Sequence, residues 1–309
     1  MKILNLSDKY GAPVVIALGF FDCIHRGHRL LVQTAMQYAA AHHTDVENVE
    51  SALLTFCNDP SELLCGVRQM YSFEERAEAL KNLGLDNLIF TQFDGAFAAI
   101  EPIDFLQKLV SCLNIKAIVV GEDYTFGKRA LGNVTLLKEF CDKHGIEVIV
   151  KPFEIDCGRK ISTSSLKNLV LSGDIATLNM LLSERYFMLG EVEHARRVGT
   201  KIGFPTANIR ISDGKLPLAA GVYATVLSVD GKQYASMTNV GAKPTFDIQN
   251  TSIEAYILDF DGDLYGKTVK LSFVYRMRSI QKFASVGELQ AQLTNDEQQV
   301  RSTVIIKEI

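Results

Sequence analysis

Five short apolar runs, each set off from the next by a stretch of helical character, organise the first half of this chain. They are VVIAL (Val14–Leu18), ALLTF (Ala52–Phe56), NLIF (Asn87–Phe90), KAIVV (Lys116–Val120) and EVIV (Glu147–Val150). Short runs without polar alternation read as strands buried on both faces, which a parallel sheet covered by helices provides. Helical patterns near His28–Ala41, Ser72–Leu83, Pro102–Leu113 and Leu136–His144 separate them. The resulting β-α-β-α order predicts a doubly wound, Rossmann-like parallel sheet.

The second half is built on a different period. ISTSSLKNLVLSGDIATLNMLLSE reads as two short helices parted by Gly173-Asp174. After it, VYATVLSVDGKQYASMTNV is two alternating strands joined through Asp230-Gly231, a hairpin signal. SIEAYILDFDGDLYGKTVKLSFVYRMR likewise reads strand, Asp-Gly turn, strand. From about Ser285 onward, Val286, Leu289, Leu293 and Val300 mark a terminal amphipathic helix. The expectation is a small antiparallel β-barrel closed off by that helix, with domains at 1–184 and 185–309. A length of 309 residues suits two domains.

Composition narrows the function classes. With 47% hydrophobic and 22% charged residues the chain is globular rather than disordered. The formal charge of -4, from 32 Lys+Arg against 36 Asp+Glu, supplies no electrostatic footprint for nucleic acid or an anionic membrane. No run reaches the ~18 apolar residues of a membrane span, and the N-terminus lacks the order of a signal peptide. The six cysteines, Cys23, Cys57, Cys65, Cys112, Cys141 and Cys157, show no C-x-x-C pair. Reduced, mostly buried thiols in a cytoplasmic protein are expected, with no obligate protein partner indicated.

Chemistry concentrates first where the opening strand meets a helix. The chain there reads Gly19-Phe20-Phe21-Asp22-Cys23-Ile24-His25-Arg26-Gly27-His28. A glycine-bearing strand-to-helix turn aims backbone N–H groups and the helix dipole at one point, which suits a phosphate. His25 and His28, three apart, present two imidazoles to that point and suit charge developing on a transferring phosphate. A histidine pair alone would more often cap or pack; the adjoining glycine and strand move the reading toward function.

GFFDCIHRGH closely resembles the G-x-F-D-x-x-H-x-G-H signature of nucleotidyltransferases, which transfer a nucleoside monophosphate from ATP to a phosphorylated acceptor. That resemblance implies nucleotide contacts from Gly19, Phe20, Asp22 and Gly27. GEDYTFG (Gly121–Gly127) and ISTSS (Ile161–Ser165) resemble the later nucleotide-contacting segments. They imply Gly121, Asp123 and Phe126 at the adenine or ribose end, and Ser162, Thr163, Ser164 and Lys167 at the phosphates. Taken singly, the two segments would pass for an ordinary loop and an ordinary N-cap cluster. TFCNDP (Thr55–Pro60) is expected to flank flavin through Asn58 and Pro60.

A second concentration lies at Gly203-Phe204-Pro205-Thr206-Ala207-Asn208, which holds neither a Walker A sequence nor a kinase glycine loop. Pro205 stiffens the turn, leaving the Thr206 hydroxyl and the Asn208 amide oxygen as hard ligands suited to Mg²⁺ shared with a nucleotide. Alone, the segment would be a loop held by its own side chains. It is followed, however, by GVYA (Gly221–Ala224), TNVGAKPTF (Thr238–Phe246), IEAYILDFDGDLYGK (Ile253–Lys267) and YRMRSIQKF, and the ordered set closely resembles riboflavin kinase. The resemblance implies Glu254 as general base on the ribityl hydroxyl, Gly203 at the nucleotide, and Tyr265 and Arg278 at the flavin.

Together the halves resemble the bacterial bifunctional riboflavin kinase/FAD synthetase family. What this implies is riboflavin and ATP giving FMN in the second domain, then FMN and ATP giving FAD and pyrophosphate in the first, with Mg²⁺. The chain departs from the family pattern at several places. Cys23 stands where glycine is usual, and Lys167 where arginine is usual, keeping the charge but not the bidentate fork. Gly199-Thr200 replaces a glycine-arginine pair, with Arg196, Arg197 and Lys201 nearby, and TFCNDP replaces T-F-x-P-H-P. Two other readings stay open: a riboflavin kinase with a weakened or inactive adenylyltransferase domain, and a non-catalytic flavin- and nucleotide-binding regulator. The intact His25 and His28 weigh against the first, and Glu254 with its metal-ligand candidates against the second.

Overall fold

The computed structural model describes residues 1–44, 47–60, 66, 68–156, 159–193, 203–242 and 251–305. Cys65, Cys157, Arg196, Arg197, Gly199, Thr200, Lys201 and the 243–246 part of TNVGAKPTF lie outside the described residues. By internal contact the chain separates into two compact units, Met1–Ser162 and Thr163–Ile309. The expected boundary at 184/185 differs by the helical pair α5 (Thr163–Ser172) and α6 (Ile175–Leu181), which this division groups with the barrel. There the Asn179 amide donates to the carbonyls of Phe273 and Val274 at 2.9 and 3.1 Å.

The first unit carries the predicted doubly wound sheet. Its strands are β1 (Lys2–Asn5), β2 (Tyr10–Leu18), β3 (Glu50–Phe56), β4 (Asn87–Thr91), β5 (Leu113–Gly121) and β6 (Glu147–Lys151). They lie in the order β1-β4-β3-β2-β5-β6, every pair parallel. The edge strand β1 is not among the five apolar runs, because an edge strand is covered less completely: Ile3 is exposed. In the central β2, Val14 to Leu18 are at most 2% exposed, as the unbroken apolar run requires.

Helices α1 (Arg26–His42), α2 (Phe73–Leu83), α3 (Pro102–Cys112) and α4 (Val134–His144) fill the connections. Their ends follow local chemistry. Ser72 and Glu75 form a reciprocal capping box on α2, and Gly84 ends it in a left-handed conformation. Pro102 opens α3, and Asn133 and Gly145 bracket α4. Phe105, Leu106 and Leu109 of α3 and Leu137 and Phe140 of α4 share one core cluster with Val14, Ile16, Leu18, Ile118 and Val120.

A short antiparallel ladder of β7 (Ile155–Asp156) and β8 (Arg159–Lys160) follows β6. In the second unit β9 (Phe187–Glu193), β10 (Thr206–Ile211), β11 (Gly221–Val229), β12 (Lys232–Ala242), β13 (Thr251–Ile257) and β14 (Thr268–Arg278) close into a barrel, ordered β10-β13-β12-β11-β14-β9. Asp230 and Gly231 both take positive φ, 49° and 76°, and close the β11–β12 hairpin as predicted. The strands flanking DFDGDLYG do not form a second hairpin: β13 pairs with β12 and β10, while β14 pairs with β11 and β9. Barrel closure demands this, since β13 and β14 lie on either side of the β11–β12 hairpin. Inside, the hydroxyls of Thr225, Ser236 and Thr238, all fully buried, satisfy one another at 2.7–2.8 Å. The terminal helix α7 (Val286–Thr303), capped by Ser285, lays Val300 against Ala224, Val226 and Met237 of the barrel.

Candidate active sites

The first site is the loop between β2 and α1. His25 is the N-cap of α1, with extended dihedrals, and its Nδ1 accepts the His28 backbone N–H at 3.2 Å. That bond leaves the proton of a neutral His25 ring on Nε2. His28 Nδ1 lies 2.5 Å from the Cys23 carbonyl, which can only accept, so this nitrogen carries the proton. The two rings stack at 3.6 Å between centroids, with Phe21 tilted against His28 at 4.7 Å. Burial pushes the His28 pKa down to about 4, against the opposing pull of the Cys23 carbonyl and the Asp123 charge. The ring is therefore neutral in the free protein at neutral pH.

Glycine at position 27 leaves the His25 ring undisturbed, since a Cβ there would crowd that ring at 3.1 Å. Gly19 is more tightly constrained: a Cβ would meet the Phe21 ring at 2.8 Å. Phe21 itself holds a left-handed φ of 53°, an uncommon conformation for a bulky residue and one that clusters at functional sites.

Asp22 serves the loop from inside. It is fully buried, and its Oδ1 accepts the N–H groups of Met70 and Tyr71 at 2.8 and 3.4 Å, tying the loop to the start of α2. Cys23 is fully buried too. Asp123 follows Gly121 at the carboxyl end of β5, and its charge reaches His28, so the fold brings these two segments near one another. The expectation that Phe126 lines the nucleotide meets a different placement. Phe126 is 6% exposed and packed on Phe105 and Tyr124 within the core of the sheet unit.

Asn58 of the flavin-flanking segment spends its amide on the chain: Nδ2 donates to the Phe93 carbonyl at 2.7 Å and Oδ1 accepts from Phe93 N at 2.8 Å. The clamp holds Phe93 edge-on to Phe56 at 5.1 Å, and Pro60 stays half-buried beyond it. The hydroxyl cluster sits as predicted at a helix start, with Ser162 preceding α5 and Thr163 and Ser164 opening it; Lys167 is buried within the same helix. Burial expected for the cysteines holds for Cys141, whereas Cys57 and Cys112 keep partial exposure; none of the four described cysteines is in a disulfide.

The second site lies on the outer face of the barrel. Glu254 is flanked in register by Asn208 on β10 and Asn239 on β12, and Thr206 stands opposite Tyr256. Strand alternation therefore puts Thr206, Asn208 and Glu254 on the face that carries Tyr256 and Met237, the face α7 covers. Glu254 is half-buried and accepts the Ser252 hydroxyl at 2.9 Å. Thr206 is exposed, and Gly203, with φ 83°, has open space around it. Among the described residues no group of three or more His, Cys, Asp or Glu side chains could hold a metal. The hydroxyl and amide oxygens of Thr206 and Asn208 fit instead a hard cation that keeps waters and takes its remaining ligands from a nucleotide.

Of the residues expected at the flavin, Tyr265 is half-buried, with its N–H on Asp263 Oδ1 at 3.0 Å. Arg278 is committed elsewhere. Its Nη2 and Nε contact Asp296 Oδ2 of α7 at 2.7 and 3.0 Å, and Gln292 donates to the same carboxylate at 2.8 Å. Arg301 grips Asp259 at 2.6 and 2.8 Å, so two ion pairs pin the helix across the barrel.

Sequence reasoning missed Arg76, a fully buried guanidinium behind the first site. The signal was present, because Phe73, Arg76 and Leu80 fall at the helical spacing of a buried stripe. It also missed Asn239 and Asp296, which only strand register and helix docking bring to the second site.

The fold defines a two-unit chain, a doubly wound parallel sheet of the kind that binds ligands at its carboxyl edge followed by a closed antiparallel barrel. Residues 7–165 match the FAD synthetase family and residues 182–304 the riboflavin kinase family. The bifunctional riboflavin kinase/FMN adenylyltransferase of Listeria monocytogenes is 34% identical, covering 93% of this chain and 91% of its own. That of Bacillus subtilis is 33% identical, covering 96% and 94%. A crystal structure described as a macrolide-efflux protein from Streptococcus pneumoniae superposes with a TM-score of 0.87 at 30% identity, covering 98% of this chain and all of that one. This chain belongs to the bifunctional riboflavin kinase/FMN adenylyltransferase family, and carries both enzyme domains. Among the described residues no helix is long and apolar enough to cross a membrane.

Proposed function

We propose that His25 and His28 serve adenylyl transfer and Glu254 serves phosphoryl transfer in this cytoplasmic enzyme of flavin cofactor synthesis. In the first unit a phosphate oxygen of FMN attacks the α-phosphorus of ATP; the bond to the bridging oxygen breaks, and pyrophosphate leaves with FAD as the other product. The neutral His25 ring offers its Nε2–H to a phosphate oxygen without prior proton uptake. Neutral His28 offers a lone pair there; arriving phosphates favour its protonated form, which turns the same atom into a donor. Asp123 supports that cation. Asp22 and Asn58 act by holding backbone in place.

In the barrel the Glu254 carboxylate takes the proton of the ribityl hydroxyl as its oxygen attacks the γ-phosphorus, and ADP leaves with FMN as the other product. Thr206 and Asn208 would hold Mg²⁺, which when bound offsets charge on the nucleotide phosphates. Tyr265 borders the flavin, and Arg278 shapes its pocket by fixing α7 to the barrel. The observation that carries the reading is the stacked, oppositely protonated histidine pair at the N-terminus of α1. E254Q tests the assignment of separate chemistries: FMN formation from riboflavin is abolished, while FAD formation from supplied FMN persists. Loss of both would contradict it.

A further inference from the structure

The β2–β3 ladder ends at Leu18 and Leu54, and beyond it the chain leads into the histidine loop on one side and the Asn58 segment on the other. Arg76 of α2 ties these two segments together. Its Nη1 donates to the Phe20 carbonyl at 3.2 Å and to the Thr55 hydroxyl at 2.9 Å; its Nη2 donates to the Phe56 carbonyl at 2.8 Å. The Thr55 hydroxyl donates in turn to the Phe20 carbonyl. The guanidinium lies over the Phe20 ring at 5.1 Å and the Phe73 ring at 5.7 Å. It is fully buried.

Burying an arginine is expensive, and an apolar residue would usually stabilise a core as well or better. What an apolar residue cannot do is hold two carbonyls and a hydroxyl from adjacent strands in one plane; the planar donor fork can. The helix that delivers Arg76 is itself fixed, by its capping box and by Asp22, which belongs to the histidine loop. Burial lowers the pKa of Arg76, and the negative charges of Asp22 and Asp59 oppose that shift in part.

We propose that Arg76 is a positioning residue for FAD formation, setting the His25–His28 loop and the Asn58–Pro60 segment at the separation the two reactants need. The inference rests on the adenylyl-transfer reading of that site. Misalignment of bound reactants lowers kcat far more than it alters binding, and a shift near 1 Å costs about a hundredfold.

The test compares wild type, R76K and R76M in FAD formation from FMN and ATP, with FMN formation from riboflavin measured on the same preparations. R76K keeps the charge beside Asp22 and Asp59 but loses the fork, which guards against failure to fold. The expected result is a kcat for FAD lowered about tenfold in R76K and about a hundredfold in R76M, with KM for FMN and ATP changed less than about threefold. FMN formation should stay at the wild-type rate. R76K at wild-type kcat, or a loss in kcat equal to the unfolded fraction measured by circular dichroism, overturns the proposal. A parallel fall in FMN formation overturns it as well. Wild type that forms no FAD refutes the underlying adenylyl-transfer reading, and the proposal with it.

Discussion

Replacing His28 by alanine removes three things at once: the Nδ1 contact to the Cys23 carbonyl at 2.5 Å, the ring stacked on His25 at 3.6 Å, and an Nε2 that can donate to phosphate once protonated. Losing a donor aimed at charge that develops in a transition state costs about 10²–10³ in kcat, roughly 2.7–4 kcal/mol. The His25 ring also loses its stacking partner, although its own Nδ1 bond to the backbone of residue 28 survives the substitution. The expected outcome for H28A is FAD formation from FMN and ATP reduced by about two to three orders of magnitude. Formation of FMN from riboflavin, carried by the barrel unit, should be unaffected, and it serves as an internal control on protein concentration. Both are read by chromatographic separation of flavins under initial-rate conditions. An FAD rate within about threefold of wild type, or an equal loss of both activities, would refute the reasoning.

Two further outcomes follow from the same geometry. The His28 pKa of about 4 lies below the ordinary value of 6.5, so between those values the unfolded chain binds the proton that the folded protein excludes. Stability from this group is intact above about pH 6.5 and is lost as pH falls toward 4, by at most about 3 kcal/mol and less for a ring that keeps some contact with solvent. Urea titrations across that range should show a slope that flattens in H28N, and an unchanged slope would contradict the assignment. In D296N the Arg278 guanidinium, its side chain 15% exposed, loses a carboxylate that is only 3% exposed. Breaking a buried pair in this way should cost about 3–5 kcal/mol of barrel stability, and a measured loss under about 1 kcal/mol would show that the pair does not hold α7.

Much of this architecture was legible because burial leaves a periodic trace. Strands covered on both sides, such as Val14–Leu18, read as unbroken apolar runs, and Asp230-Gly231 announced its hairpin through the positive φ that its turn needs. The edge strand Lys2–Asn5 left no such trace, because half its surface faces solvent. Pairing was legible only where a short turn enforces it, so the separation of β13 from β14 in the closed barrel was not. At the sites, motif spacing located His25 and His28 and the family resemblance located Asp123, which the fold brings together. Residue type could not say which way a side chain faces. Asp22, Asn58 and Arg278 each satisfy neighbouring protein groups, and Phe126 lies in the core. Arg76 escaped notice because a charge within an apolar stripe is ordinarily a solvated residue.

The most direct test of the account is a time course of the purified chain with riboflavin, ATP and Mg²⁺, the flavins separated chromatographically. The account predicts FMN appearing first and FAD following as FMN accumulates, with FAD also formed when FMN and ATP are supplied directly. FMN that accumulates without FAD in either experiment would contradict the role given to the histidine loop, and the absence of both products would contradict catalysis at either site.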